Sequence, residues 1–399
     1  SQANIPVGEL INDLSIPYIF DTVADYKAST IVFPVGKTIH LNDRGADFTV
    51  IAGTGTGNNK DIIANTSAAQ SVRLIHGNEL LTSTLGSIAG VDAAPFVRRA
   101  QELLVSIGGG KIIIDINGAC QFVDGLTEEL PYTPYTVDVQ SGIEITAIPE
   151  FRVIGDKTQG GIIGGYYMFR IFEDKQDIKI HGFQDIDGGD HTTDKGLGGV
   201  VVIRGNTGVT RASNIDIWDI TWKELRNEPF RLGQTDFAGI IGQNVNIWNI
   251  RGNGCSSHAI VMRSLLNSHA SGLQIQNTGR LAIDISSYCI SCHLDGSKGV
   301  NRFINTTGGA KVDGSLNTVD CSIGEYYYDG QVNGAGSSNG FAMRTMGLRA
   351  RAYSIEAKNC GGLGINCISG GTSGDDDLDM YWEDININGV VAGLPASSS

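Results

Sequence analysis

Ionisable side chains gather in four segments, DIDGGDHTTDKG, TWKELRNEP, RGNGCSSH and QNTGR, which place Asp190, His191, Asp194, Glu224, Arg226, Glu228, His258 and Arg280 between short β-rich runs. Paired carboxyl groups are the equipment of glycoside hydrolysis. They stand about 5–5.5 Å apart when a covalent intermediate forms and about 6.5–9.5 Å apart when water attacks directly. A carboxyl crowded by others is pushed up in pKa and one beside an arginine is pushed down, so such an edge can hold one acid and one base. On this reasoning Glu228 is the proton donor and Glu224 or Asp194 the base. Acids of a solvated loop with no catalytic task are the competing account.

Basic residues recur along one series of strands at Arg204, Arg231, Arg263 and Arg344. A guanidinium row suits carboxylates on a polymer because it binds them bidentately, and it suits salt bridges between subunits for the same reason. His258, Trp222 and the arginines Arg204, Arg231 and Arg263 make up the substrate-binding set. Trp218 and Trp248 fall at equivalent outward positions and offer either a platform for sugar rings or a subunit contact. Asp375 to Asp377 form a solvated turn more readily than a calcium site.

These residues need a scaffold that repeats. From Gly198 onward two strand types alternate: VVVIRG, PFRLGQ, AIVMRS, LAIDIS, NRFINTT, GFAMRT and GLGINCIS in one series, and SNIDIWDI, QNVNIWNI, SGLQIQNT, YCISCHLDG, TVDCSIGE, YSIEAKN and LDMYWEDIN in the other. Seven pairs imply seven coils of a solenoid, with Ile217 and Ile247 one coil apart. Alternation in NIDIWDI turns Ile215 and Ile217 inward and Asp216 and Trp218 outward. Upstream, Asp92 is placed to cap a helix with Phe96, Leu103 and Leu104 on one side, and the run Gly108 to Gly110 ends it before strand KIIIDI. The division expected is a connector over 1–16, a small β-rich unit over 17–90, a parallel β-helix over 91–390 and a flexible tail over 391–399.

Composition agrees with an all-β solenoid. Of 399 residues 41% are hydrophobic, and 54 glycines against 9 prolines fit many tight turns between short strands. The net charge of −14 comes without any basic stripe, which argues against nucleic acid as a partner. No run of about 18 apolar residues suggests membrane insertion. Seven cysteines, thinly spread, read as buried thiols; in C-I-S-C at 289–292 positions three apart on a strand should face opposite sides, which disfavours shared metal ligation. No cofactor and no metal is expected.

Two stretches carry a family resemblance. FDTVADYKASTIVFPVGKTIHLNDRGADFTVIAGTG resembles the small particle-proximal domain of bacteriophage tailspikes, and DAAPFVRRAQELLVSIGGGKIIID resembles the cap helix, glycine run and first strand that open a pectate-lyase-like right-handed parallel β-helix. Where that first coil usually continues with a proline-containing turn, this chain has INGACQFVDG. The resemblance implies a capsule- or O-antigen-degrading tailspike, a homotrimer on the virion tail that acts outside the host cell and joins a tail or baseplate protein through its N-terminal region. Hydrolysis of a bacterial surface polysaccharide is the leading activity. A lyase using His258, Lys223 or Tyr288 as base with Arg263 neutralising a uronate is the second, and a glycan-binding adhesin that cuts nothing is the third.

Overall fold

A computed structural model describes residues 12–54, 57–124, 134–156, 165–189, 196–205, 209–233, 239–330, 343–361, 365–367 and 381–391. Asp190, His191, Asp194 and the acidic run 375–377 lie outside the described residues, as do the side chain of Arg344 and the tail beyond 391.

The chain begins with a five-stranded sheet in the order Tyr18–Phe20, Thr38–Leu41, Ala46–Ile51, Gln70–Leu74, Ile62–Asn65. The first pair is parallel and the rest are antiparallel. Alternation decides its interior: Ile39, Leu41, Phe48, Val50, Ile63 and Val72 are buried, and the short helix Val23–Ala28 adds Tyr26. Thr22 caps that helix by accepting the Asp25 N–H at 3.1 Å.

The remaining strands form one continuous sheet of 24 strands wound as a parallel β-helix. Glu79–Leu81, within the stretch assigned above to the N-terminal unit, pairs in parallel with Lys111 to Ile113 and so belongs to the solenoid. Helix Ala94–Val105 packs across this end. It buries Val97, Ala100, Gln101 and Leu104, the i, i+3, i+4, i+7 stripe; Phe96 and Leu103 are only partly buried, so the apolar face is rotated from the one expected. Asp92 precedes the cap residue, accepting the Ala94 N–H at 2.9 Å and the Val123 and Asp124 N–H groups at 2.7 and 2.6 Å. Gly110 closes the turn because a Cβ there would meet the Asn78 carbonyl at 2.2 Å. Arg99 joins the helix to the first sheet through both oxygens of the buried Asp61, at 2.5 and 2.6 Å.

Each coil has three faces where the sequence suggested two. The first face runs through Gly110–Ile114, Ile143–Ala147 and Gln176–His181, the second through Gly118–Cys120, Phe151–Ile154 and Ile186–Asp187, and the third through Tyr135–Val139, Tyr166–Phe172 and Leu197–Arg204. Farther along, Ala212–Leu225, Gly242–Cys255 and Leu265–Thr278 each serve the first two faces as one bent strand. Phe230–Leu232, Ile260–Arg263 and Leu281–Ser286 continue the third. Asn301–Ile304, expected in series with the third-face strands, pairs with Gln274 to Gln276 on the second face, and Gly308–Val319 takes its place.

The interior is built of rows. Ile112, Ile145, Ile180, Ile217, Ile247, Ala270, Leu294, Ile323 and Ala352 stand in register on successive coils, all buried. Coils stack about 4.8 Å apart, so every inward side chain meets its equivalents above and below.

Bends shift the alternation. Asp219 and Glu224 both take left-handed backbone, φ 54°, and the inward positions of that strand are Ile215, Ile217, Ile220, Trp222 and Leu225. The interval widens from two residues to three at each left-handed residue, which reverses the parity. Asn249, φ 51°, does the same one coil on, between Ile247 and Ile250, and its amide donates to Asp219 Oδ1 at 2.5 Å. Trp222 is therefore a core residue, 2% exposed, its indole lying over Gly252, and cannot bind substrate as expected. The same device at Ser291, φ 52°, turns both Cys289 and Cys292 inward, not to opposite sides. Cys321 joins them, and burial pushes the Cys292 thiol up, so these cysteines are unreactive packing groups.

Candidate functional site

The third face is unusual in being buried on both sides. Leu197–Arg204 is buried at every position but the last, and Leu281–Ser286 throughout. Val201, Phe230, Ile260, Ile283 and Ala310 point inward. The outward row, in register across five coils, reads Val202, Arg231, Val261, Asp284, Lys311. An outward row that is both buried and charged has to be matched internally or by a ligand.

At one end of this row lies Glu228, in the turn that leads into Phe230–Leu232. Its Oε2 is 3.5 Å from Arg231 Nε, and both side chains are largely buried, 11% and 16% exposed. Tyr167 approaches from two coils earlier. Its ring crosses Gly199, where a Cβ would meet it at 2.3 Å, and its hydroxyl feels the charges of Glu228, Arg231 and Arg204. Burial holds that phenol well above the usual tyrosine range, so it stays protonated and can donate. Glu228 Oε2, Arg231 Nε and Tyr167 Oη are all enclosed and, among the described residues, meet only one another: Arg231 pairs with Glu228 and borders the Tyr167 hydroxyl, with no well-aligned hydrogen bond at any of the three atoms. Three such atoms converging on one spot mark a place prepared for a polar ligand, since buried polar groups are otherwise nearly always paired.

At the other end sits Asp284, with no exposed surface. Arg263 Nη2 reaches its Oδ2 at 2.8 Å and Lys311 Nζ its Oδ1 at 3.1 Å; Arg263 Nε also donates to Ser286 Oγ at 3.1 Å. Burial opposes ionisation of Asp284, but the two cations outweigh it and hold the carboxyl below the usual aspartate range. His258 lies at the Asp284 end, under the charges of Asp284, Lys311, Arg263 and Arg280. Burial, the largest influence, with the charges of Lys311, Arg263 and Arg280, pushes its pKa down to about 4 against the pull of Asp284, so the ring is neutral. Its Nδ1 accepts the Leu281 N–H at 3.3 Å, which puts the ring proton on Nε2.

Of the residues selected from sequence, Glu228, Arg231, His258, Arg263 and Arg204 come together on this face. Glu224 stands at the corner between the second and third faces with its carboxylate over Gly254. Three members were missed. Tyr167 gives no signal inside the run GYYMFRIF. Asp284 and Lys311 do give one: each is a lone charge in an apolar run, LAIDIS and GGAKV, at the register of Arg231.

Two of the open cavities on the first face have aromatic side chains in their lining. One, of about 570 Å³, includes His293, Asp320, Arg351, Tyr353, Tyr381 and Glu383 in its lining. The other, of about 410 Å³, lies beside Trp248.

No protein-family model matches the sequence, and no curated protein matches it. Among solved structures, the enzymatically active domain of tailspike protein 2 from bacteriophage CBA120 superposes with a TM-score of 0.52 at 11% identity, covering 97% of this chain and 54% of that one. The parallel β-helix fold is shared with that tailspike domain. The chain spans about half the length of that tailspike domain. Two further tailspikes are similar at lower scores: that of Acinetobacter phage vb_AbaP_AS12, TM-score 0.47 and 11% identity over 96% of this chain and 78% of that one, and gp49 of Acinetobacter baumannii phage Fri1, a capsular polysaccharide depolymerase, TM-score 0.42 and 12% identity over 93% and 69%.

Proposed function

We propose that this chain is a tailspike depolymerase that hydrolyses a bacterial surface polysaccharide, a capsule, exopolysaccharide or O-antigen, against the outer side of its third face. The observation that carries the reading is the convergence of the enclosed Glu228, Arg231 and Tyr167 side chains, whose polar atoms have only one another as partners among the described residues. The fold shared with the enzymatically active domain of a tailspike supports an enzymatic role, and the polysaccharide substrate is what the sequence resemblance implies. Glu228 and either Glu224 or Asp194 serve as the two carboxyl groups of the hydrolysis, one protonating the departing sugar oxygen and the other activating water or attacking carbon. Arg231 fixes the orientation of the Glu228 carboxyl, and the protonated Tyr167 hydroxyl donates to a sugar oxygen. Asp284 acts at one remove, anchoring Arg263 and Lys311 so that their cations face acidic groups of the polymer.

Two observations support hydrolysis over β-elimination. His258 has Nδ1 engaged and its proton on Nε2, which leaves no free basic nitrogen. Lys223 is held above the usual lysine range by its hydrogen bond and ion pair with Asp187 at 3.1 Å, so it remains an ammonium. In this reading the protein works as a homotrimer on the virion tail, outside the host cell, attached to a tail or baseplate protein through its N-terminal region. Reducing-end release from host polysaccharide by wild type and by Glu228→Gln, Glu224→Gln and Asp194→Asn tests the assignment. Loss in Glu228→Gln and in one of the other two is expected; wild-type rates in Glu228→Gln overturn it.

A further inference from the structure

On the first face His181, Trp218, Trp248, Ser271 and Asp295 occupy one outward row. The three rings form a column. His181 and Trp218 stack at 4.0 Å with planes 8° apart, and Trp218 and Trp248 at 5.0 Å with planes 1° apart. Rings stacked along the solenoid axis cover each other's faces and show only edges to the flank. Trp218 therefore offers no face to a sugar.

The column ends at Trp248, because the next coil brings a serine to the row and shortens from 30 residues (Trp218 to Trp248) to 23 (Trp248 to Ser271). The face of Trp248 turned away from Trp218 opens into the cavity of about 410 Å³, whose walls include Asn246, His269, Ser271 and Lys298 but not Trp218. Lys298 rides on a turn pinned by its own N–H donating to Ser271 Oγ at 2.9 Å, and its ammonium sits 5.9 Å from the centre of the Trp248 ring. Two acids border the cavity, Asp216 as part of its wall and Asp295 beside it, and each already has partners. Asp216 accepts the Asn246 amide at 3.0 Å, and Asp295 accepts the Ser297 N–H at 2.9 Å and lies 3.6 Å from His269. Among the described residues no carboxylate comes within ion-pair distance of Lys298 Nζ. An aromatic floor, hydrogen-bonding walls and one unmatched cation describe a receptor for a sugar that carries a carboxylate.

We propose that this cavity is a saccharide subsite, separate from the third-face cluster, that holds one hexuronate unit of the surface polysaccharide. The sugar ring lies on the open face of Trp248 and its carboxylate meets Lys298. The choice of a polysaccharide unit rests on the function proposed above; the preference for an acidic sugar rests on the cavity alone.

Saturation-transfer NMR on the full chain with methyl glucuronide, and with methyl glucoside as the neutral control, tests it at about 10 mM sugar, the range in which single-sugar sites bind. Methyl glucuronide should bind more tightly than the glucoside. Lys298→Met should weaken it about tenfold, the scale of one charge-assisted contact. Trp248→Ala should abolish it, and Glu228→Gln should leave it unchanged. Absence of glucuronide binding, equal binding of the two sugars, or binding that survives Trp248→Ala overturns the subsite. Reducing-end release from polymer, run in parallel, separates the two claims: cleavage without glucuronide binding removes the subsite alone, and Trp248-dependent binding without cleavage removes the depolymerase reading alone.

Discussion

Replacing Asp284 by asparagine should be among the most costly single changes in the solenoid. The carboxylate has no exposed surface, and Arg263 and Lys311, 14% and 15% exposed, approach it at 2.8 and 3.1 Å from opposite oxygens. Removing one partner of a buried ion pair costs about 3–5 kcal/mol, because the surviving charges keep their desolvation penalty and lose its compensation. Asparagine still accepts one hydrogen bond from Arg263, so about 3 kcal/mol is expected. Equilibrium urea unfolding at pH 7, followed by circular dichroism, reads it as a lowered midpoint at unchanged slope. The pH profile carries the sign. Asp284 has a depressed folded-state pKa, so its contribution is complete above the unfolded value of about 3.9 and is lost as pH falls below it through the folded value. Wild type and variant should converge in acid. The triple change Asp284→Leu, Arg263→Met, Lys311→Met removes all three charges and should recover most of the loss. A variant within about 0.5 kcal/mol of wild type, the range of an ordinary surface substitution, would refute the reasoning, as would a triple variant less stable than Asp284→Asn.

Three other outcomes follow from the same geometry. His258 has a folded pKa near 4 against about 6.5 unfolded, so wild-type stability should fall by about 3 kcal/mol as pH drops from 6.5 to 4, and His258→Gln should flatten that slope in a pH series of urea midpoints. Gly252→Ala would set a methyl 2.0 Å from the Trp222 ring and should cost about 1–3 kcal/mol, most of it recovered in Trp222→Leu; additive losses in the double variant would contradict the packing described. Asp61 is held below the usual aspartate range by Arg99 and Asn58, so Asp61→Asn should weaken the protein near neutral pH and lose that difference as pH falls below about 3.9, in thermal melts read at each pH.

The solenoid was legible because its determinants are local. The isoleucine row from Ile112 to Ile247 repeats a two-residue alternation that any strand displays, and Trp218 and Trp248 fell at equivalent positions as expected. The failures share one cause. Left-handed residues at Asp219, Glu224 and Ser291 each insert a three-residue step, and a period-two reading carried through them puts Trp222 outside and Cys292 opposite Cys289. Aspartate, as at 219, tolerates that backbone without announcing it, and glutamate at 224 and serine at 291 give no sign of it at all. The site was legible in part for a related reason. Glu228, Arg231 and His258 stand out in polar segments, whereas Asp284 and Lys311 are single charges inside apolar strands whose meeting depends on coil register. Tyr167 reaches Glu228 only because Gly199 leaves room between them, a gap that no spacing in the sequence reveals.

The most direct test of the account is the release of reducing ends from purified acidic capsular polysaccharides of candidate host bacteria by the wild-type chain and by Glu228→Gln, with absorbance of unsaturated sugars followed in the same reactions. The account predicts new reducing ends without unsaturated product for wild type, and loss of about two to four orders of magnitude in rate for a Glu228→Gln variant that unfolds at the wild-type urea midpoint, the scale of a missing general acid or base. Cleavage by that variant at the wild-type rate, or products that are unsaturated, would contradict it.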